Sequence, residues 1–517
     1  MTTLSLGPVA RPSRINAIDV ARGFALLGIL SVNIKFFAEP FGQVMQLAPP
    51  EGVGNMIVHY FTKIFCEGKF YPLFSMLFGM GLMLQRGRAD EAGRSIYKPY
   101  LRRLAALFLM GLSHALLLWY GDILFVYSLA GTVLLFLSSC RPRTLLIVGG
   151  AFLFLSLTLS GGFAALNMFN LEQMKQVEQK GEAGESVTAK PGGASAGEAG
   201  TPPAIPTPHA PPAAPPTTSG DEPGADAASA PKGDASTPAG DAPSANTATG
   251  DATGASGAGV PRDQDFERFL DRTFSPKVAE FFKKLTRQKV TGGPKDALWM
   301  AAEESAYRDG GFASALAIRA LSWGIFLIVC VVGFFWQVGA LFCLGGALLK
   351  LRFFDPDRAH WRKRAIVVGV VLGLPLSLLG VFGMSLFPNH KVLAGVAMNF
   401  GINLGGPLMA LAYISICATL VERGVLSGLT RALANAGRMA LTNYLCQTLI
   451  CTTIFYWYGL GLFGSFNEVQ RLGVVLAVYA VELAWSAWWL ARFRFGPMEW
   501  LWRTITYWKS QPMNRAE

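Results

Sequence analysis

The stretch from Arg102 to Gly131 reads RRLAALFLMGLSHALLLWYGDILFVYSLAG, and it decides the class of the protein. Arg102 and Arg103 open it. From Leu104 to Tyr120 every residue except Gly111, Ser113 and His114 is apolar. A bilayer core about 30 Å thick needs about 20 residues at 1.5 Å each, so this run reads as a membrane-spanning helix with arginines at its aqueous edge. Gly121-Asp122 is a turn signal, and Ile123 to Leu137 begins the return crossing. Ionisable groups inside such a run are costly without polar partners, which makes His114 and Asp122 functional candidates. The two lie about 12 Å apart on a straight helix. Contact between them needs the turn to fold back, and Gly121 gives the backbone that freedom.

The pattern repeats outward along the 517 residues. Spans are expected at 17–37, 70–84, 145–165, 365–386, 396–420, 439–458 and 472–490, and the tract 312–351 reads as one long tilted helix or two short ones. Lys and Arg gather at 86–103, 141–143, 350–364, 423–438 and 492–503. By the positive-inside rule all these clusters share the cytoplasmic side only if 312–351 crosses an odd number of times. The expectation is an all-α, polytopic membrane helix bundle of about ten transmembrane helices, multi-pass, with both termini cytoplasmic. Only 15% of residues are charged and 51% are hydrophobic, which argues against a simple cytosolic enzyme. The net charge of +11 sits in short clusters between apolar runs, so it reads as membrane orientation and no nucleic-acid partner is implied.

Four regions follow. Residues 14–170 form an N-terminal transmembrane half of about five helices. Residues 172–265 are Ala-, Pro- and Gly-rich without Phe, Tyr or Trp, and read as a long disordered loop on the non-cytoplasmic side. Residues 266–311 are an amphipathic lead-in, with helical apolar spacing from Phe266 to Leu285. Residues 312–503 form the C-terminal transmembrane half. The seven cysteines are scattered, none in a CxxC pair, and read as small buried hydrophobes. With five histidines dispersed along the chain, no metal site is expected.

Other polar residues inside spans are candidates on the same grounds. In RINAIDVARGFALLGILSVNI, Asp19 and Arg22 share a helical face, as an interfacial ion pair or as an orienting carboxylate and an anion-binding arginine. Asn33 lies near the far end of that helix. In GRMALTNYLCQT, residues Arg438, Thr442, Asn443, Tyr444 and Gln447 form a polar stripe that must face other helices or a cavity. Glu482 lies mid-span and needs a partner, and Arg319 is a further anion-ligand candidate. Gly79 and Gly81 read as helix-packing positions. No nucleotide-binding loop, nucleophile elbow or zinc-protease motif stands in a suitable context.

At these residues the chain resembles a known family. RINAIDVARGFALLGILSVNI, FYPLFSMLFGMGL, GLSHALLLWYGDILFVYSLAG, GRMALTNYLCQT and RFRFGPMEWLWR resemble the bacterial YeiB family, inner-membrane proteins of unknown function. That family is distantly similar to the transmembrane acyltransferases, chiefly through IDVARGFALLGI. The resemblance implies a ten-helix bundle that moves an acyl group from cytoplasmic acyl-CoA to an envelope lipid or glycan, with acyl-CoA as donor substrate and no bound cofactor. The heparan-modifying members are expected to carry a catalytic histidine in the loop after the first span, where this chain offers only His59; His114 is the alternative. In the acyltransferase reading a histidine acts as general base. Asp122 or Asp19 orients it, and Arg22 or Arg102 and Arg103 draw in the donor's phosphates. The runner-up is a secondary transporter with Asn443, Gln447 and Glu482 as a midplane site. A non-catalytic membrane partner protein is the third reading.

Overall fold

The computed structural model describes residues 16–45, 49–188, 262–287 and 296–514. All contacts below lie within the unit made of residues 1–178 and 261–517. The described chain is a helix bundle; its one β feature is a lone bridge between Phe493 and Asn514. The principal helices are α1 (Asn16–Ala38), α2 (Phe70–Glu91), α3 (Tyr97–Leu117), α4 (Leu124–Leu137), α5 (Pro142–Thr188), α6 (Gly311–Lys350), α7 (Pro356–Leu386), α8 (Lys391–Arg423), α9 (Ser427–Arg438), α10 (Ala440–Phe455), α11 (Glu468–Arg492) and α12 (Pro497–Tyr507).

Seven of these are long and apolar enough to cross a membrane, and α4 is a shorter apolar helix. The other two expected spans, around Phe70 and Met439, are the 22-residue α2 and the 16-residue α10. Every expected crossing is thus a helix, and the chain is a polytopic membrane bundle. The tract 312–351 is one continuous helix. At 40 residues α6 is about 60 Å long, twice the thickness of the hydrocarbon core. A π-turn at Cys330–Phe334 interrupts its regular ladder.

One expectation is corrected. The stretch Phe266 to Leu285, read as one amphipathic helix, is two: Arg262–Thr273 and Pro276–Thr286. Ser275 is held extended by the proline after it, and Pro276 takes the first helical turn, where its missing N–H costs nothing. Val278 and Phe281 are buried, with Phe281 edge-on to Trp299. The helix α5 runs to Thr188. The segment LEQMKQVEQKGEA is rich in strong helix formers, and the Pro/Gly/Ser composition begins only after it. Residues 189–261, the rest of the expected loop, lie outside the described residues.

Packing is closest where glycines remove a side chain. A Cβ on Gly79 of α2 would collide with the Phe342 carbonyl on α6, and one on Gly345 with that of Met76. Gly81, read with Gly79 as a packing position, faces the guanidinium of Arg22 instead. A Cβ on Gly437 would strike the Asp19 carbonyl and one on Gly23 that of Leu433, so α1 and α9 touch backbone to backbone. This contact draws Asp19, Arg22 and Arg438 to one end of the bundle.

Candidate functional site

His114 and Asp122 meet. His114 Nδ1 lies 3.0 Å from Asp122 Oδ1, and the two side chains are 1% and 0% exposed. The other ring nitrogen, Nε2, is 3.0 Å from Thr448 Oγ1 on α10. Asp122 Oδ2 accepts from the Phe125 amide at 2.7 Å, satisfying one N-terminal donor of α4. Folding back is the way contact is achieved: α3 ends at Leu117, and the chain reverses before α4 begins at Leu124. Gly111 makes room, since a Cβ there would strike both the Phe125 amide and Asp122 Oδ2. The Tyr444 ring lies 5.3 Å from that of His114, and the Trp119 ring lies 6.4 Å from it.

Tyr444 also lines a cavity of about 160 Å³. Its walls carry Arg22 of α1, Arg103 of α3, Arg438 of α9 and Arg503 of α12, together with Glu499 and an apolar lining that includes Phe74, Phe78, Leu107 and Tyr127. Cations therefore outnumber carboxylates in this lining. The Arg103 guanidinium lies over the Trp502 ring at 3.4 Å, which holds it flat against the wall. Glu499 is committed to structure. Its Oε1 accepts from the amides of Leu441 (2.6 Å) and Thr442 (3.1 Å), and its Oε2 from the Thr442 hydroxyl (2.5 Å). These bonds cap the first turn of α10, and burial pushes the Glu499 carboxyl above its ordinary pKa.

A wider cleft of about 440 Å³ adjoins at the same end of the bundle, lined by Asn16, Asp19, Ser427, Thr430, Arg431, Asn435 and Arg438 among others. Arg438 lines both spaces. Asp19 lies 3.5 Å from Arg22. It sits in the first turn of α1, whereas His114 sits in the last turn of α3, so Asp122 and not Asp19 is the carboxylate against the histidine.

The remaining candidates fall elsewhere. Arg102 lies over the Trp508 ring, outside the lining of the cavity. Asn33 is half-buried and lines neither space. Arg319 Nη1 donates to the Leu116 and Leu117 carbonyls at 3.1 and 2.5 Å, closing the C-terminal end of α3. Asn443 donates to Ser486 Oγ at 3.0 Å, and Gln447 donates to Glu482 Oε2 at 2.8 Å. These three tie α10 to α11 and line neither space. His59 is buried at the opposite end, 3.2 Å from Glu468, which also receives Lys35 at 3.0 Å and Arg471 at 3.2 Å. Among the described residues no three His, Cys, Asp or Glu side chains group as metal ligands.

Sequence reasoning gave no role to Thr448, Trp502, Glu499 or Arg503. The last three belong to RFRFGPMEWLWR, and a carboxylate between arginines in that motif was the available signal. The structure docks this motif onto the start of GRMALTNYLCQT, so the two family-like stretches build one wall together.

Residues 348–509 match the model of a family described as a protein of unknown function, DUF418. Along its length the chain is similar to the uncharacterized protein YxaH of Bacillus subtilis (strain 168), with 26% identity over 98% of each chain. It is also similar to the uncharacterized protein YeiB of Escherichia coli (strain K12), with 25% identity over 95% of each. The chain is YeiB-like. The matched region of this YeiB-like chain contributes Arg438, Tyr444, Thr448, Glu499 and Arg503, while the dyad, Arg22 and Arg103 come from the N-terminal half. No solved structure matches the chain.

Proposed function

We propose that this YeiB-like protein is a membrane acyltransferase of the bacterial inner membrane, taking an acyl group from cytoplasmic acyl-CoA and passing it to an envelope lipid or glycan. The observation that carries this reading is the buried His114–Asp122 pair beside a cavity walled by four arginines, with Tyr444 touching both. Arginines are suited to phosphate groups, and they line the end of the bundle assigned to the cytoplasm by the positive-inside rule. The cavity volume is near that of an engineered cavity that admits benzene, which favours a short acyl group over a long chain.

In this scheme Asp122 fixes the imidazole through Nδ1 and leaves Nε2 as the base. Nε2 takes the proton of an acceptor hydroxyl or amine, displacing the Thr448 hydroxyl or acting through it. The freed oxygen or nitrogen forms a bond to the thioester carbonyl carbon, the carbon–sulfur bond breaks, and the departing thiolate takes the proton back from the imidazolium. The transporter reading lacks a comparable opening, because Asn443, Gln447 and Glu482 are engaged with neighbouring helices. The test is to incubate purified protein with radiolabelled acetyl-CoA and an envelope extract. Label should enter lipid or glycan with the native protein and not with His114→Gln. Equal labelling by both proteins would sink the mechanism.

A further inference from the structure

Buried polar atoms that make no hydrogen bond are rare in folded proteins, and each calls for an occupant such as water or a ligand. Among the described residues of this chain one group of them lies together, on the side chains around Trp119, Tyr307 and Tyr456. Trp119 Nε1, the Tyr120 and Tyr456 hydroxyls, and Arg319 Nε are all buried without a hydrogen-bond partner among the described residues. The Tyr307 hydroxyl and Trp299 Nε1 join them: they face Arg319 and Glu303 without reaching hydrogen-bond geometry. Glu303 is 1% exposed, and one oxygen accepts from the Phe41 amide at 2.9 Å. The rings adjoin: Tyr307 stacks on Tyr456 at 4.4 Å, and Trp119 and Tyr120 lie 5.9 Å apart. Trp119 in turn borders His114 and is not among the residues that line the arginine cavity.

The chemistry of this set selects among occupants. Two indoles and a guanidinium nitrogen are donors only. Three phenols both donate and accept, and Glu303 offers a carboxyl. An added cation meets Arg319, whose guanidinium already lies 5.9 Å from the Tyr307 ring. An oxyanion uses the phenols only as donors and leaves their acceptor capacity unmet. A neutral hydroxylated molecule uses both capacities and rests its C–H faces on aromatic rings.

We propose that the Trp119, Tyr120, Trp299, Glu303, Tyr307, Arg319 and Tyr456 cluster binds the hydroxyl-bearing end of an uncharged polyol or sugar, and that this is where the acceptor approaches His114. The second clause rests on the acyl-transfer reading; the binding site does not. The arginine cavity and the aromatic cluster then meet at one histidine, the first through Tyr444 and the second through Trp119.

The experiment uses the full-length protein in detergent and follows thermal unfolding with glucose, N-acetylglucosamine and glycerol as probes, and with sodium acetate and tetramethylammonium as controls. At least one hydroxylated probe should raise Tm in a saturable way. Tyr120→Phe and Tyr456→Phe keep the rings and should each weaken half-saturation about tenfold, the loss expected from one hydrogen bond in a desolvated site. His114→Gln should keep the Tm response; if it does while acetyl transfer is absent even from the native protein, the binding site stands and the acyl-transfer reading falls. Binding is overturned if no hydroxylated probe shifts Tm, if the Phe variants respond like the native protein, or if only acetate or tetramethylammonium acts. Tyr→Phe variants that simply melt higher, with no probe response in any protein, identify orphaned hydroxyls that hold ordered water only.

Discussion

Two histidine–carboxylate pairs lie among the described residues of this bundle, and they differ in what else claims the carboxylate. At the dyad, Asp122 serves one imidazole and one backbone amide. At the opposite end, Glu468 is shared by His59, Lys35 and Arg471, and Arg471 also pairs with Glu39. A carboxylate held by two permanent cations has little left with which to polarise an imidazole. The second pair clamps α1, the helix Val53–Phe61 and α11 together, and it lines neither of the two spaces that hold the arginines. Proximity of a histidine to an acid is therefore a weak sign of chemistry until the acid's other partners are counted.

The largest expected difference between the pairs is in acyl transfer. His114→Ala should lower the rate by about a thousandfold, within the range for loss of a general base, while His59→Gln should stay within about threefold. Labelled acetyl transfer by monodisperse preparations of each variant reads this out, and the reverse ranking would move the chemistry to His59. Asp122→Asn keeps the shape and loses the charge, and should fall in between.

Next is the donor end. Arg438→Gln should raise the KM for acyl-CoA about tenfold with little change in kcat, because one charge-assisted contact to phosphate is removed from both ground and transition states. The effect should shrink as salt rises. A kcat loss at unchanged KM would contradict a binding role.

Stability should show the opposite ranking. Glu468→Gln should lower Tm by several degrees, since it strips the buried charges of Lys35 and Arg471 of a shared partner, and transfer activity should persist in the folded fraction. An unchanged Tm would mean that the cluster is not a clamp.

The smallest effect concerns Glu303, which lies on the helix Ala297–Arg308. Burial pushes its carboxyl from the usual 4.5 up to about 8. The native state thus holds this proton more tightly than the unfolded chain, so its contribution to stability is fully present near pH 4.5 and is lost as pH rises through about 8. Tm should decline from about pH 5 to about pH 8, and Glu303→Gln should flatten that decline. A native protein whose Tm is level across this window would contradict the assignment.

The helices were legible because about 20-residue apolar runs have few other solutions. The contact between His114 and Asp122 was legible only as a condition, because linear spacing puts them about 12 Å apart and a turn's geometry is not written in periodicity. Arg22 and Arg103 were picked out and do line one cavity, but Arg102, adjacent in sequence, rotates onto Trp508. The stripe on α10 was read as facing helices or a cavity, and it does both: Gln447 bonds to α11 while Tyr444 faces the cavity. Which member does which depends on crossing angles that one sequence does not print. The aromatic cluster escaped notice because its members come from four separate segments, and each alone resembles an ordinary interfacial aromatic.

The Glu499 cap has a mechanical consequence. The helix α10 is a stiff rod of 16 residues, gripped at its first turn by a side chain of α12 and touching His114 through Thr448 less than two turns further on. Through these bonds the placement of α12 fixes the register at which α10 presents Thr448 to the imidazole. One carboxylate is thus the joint between α12 and the rod that reaches the dyad.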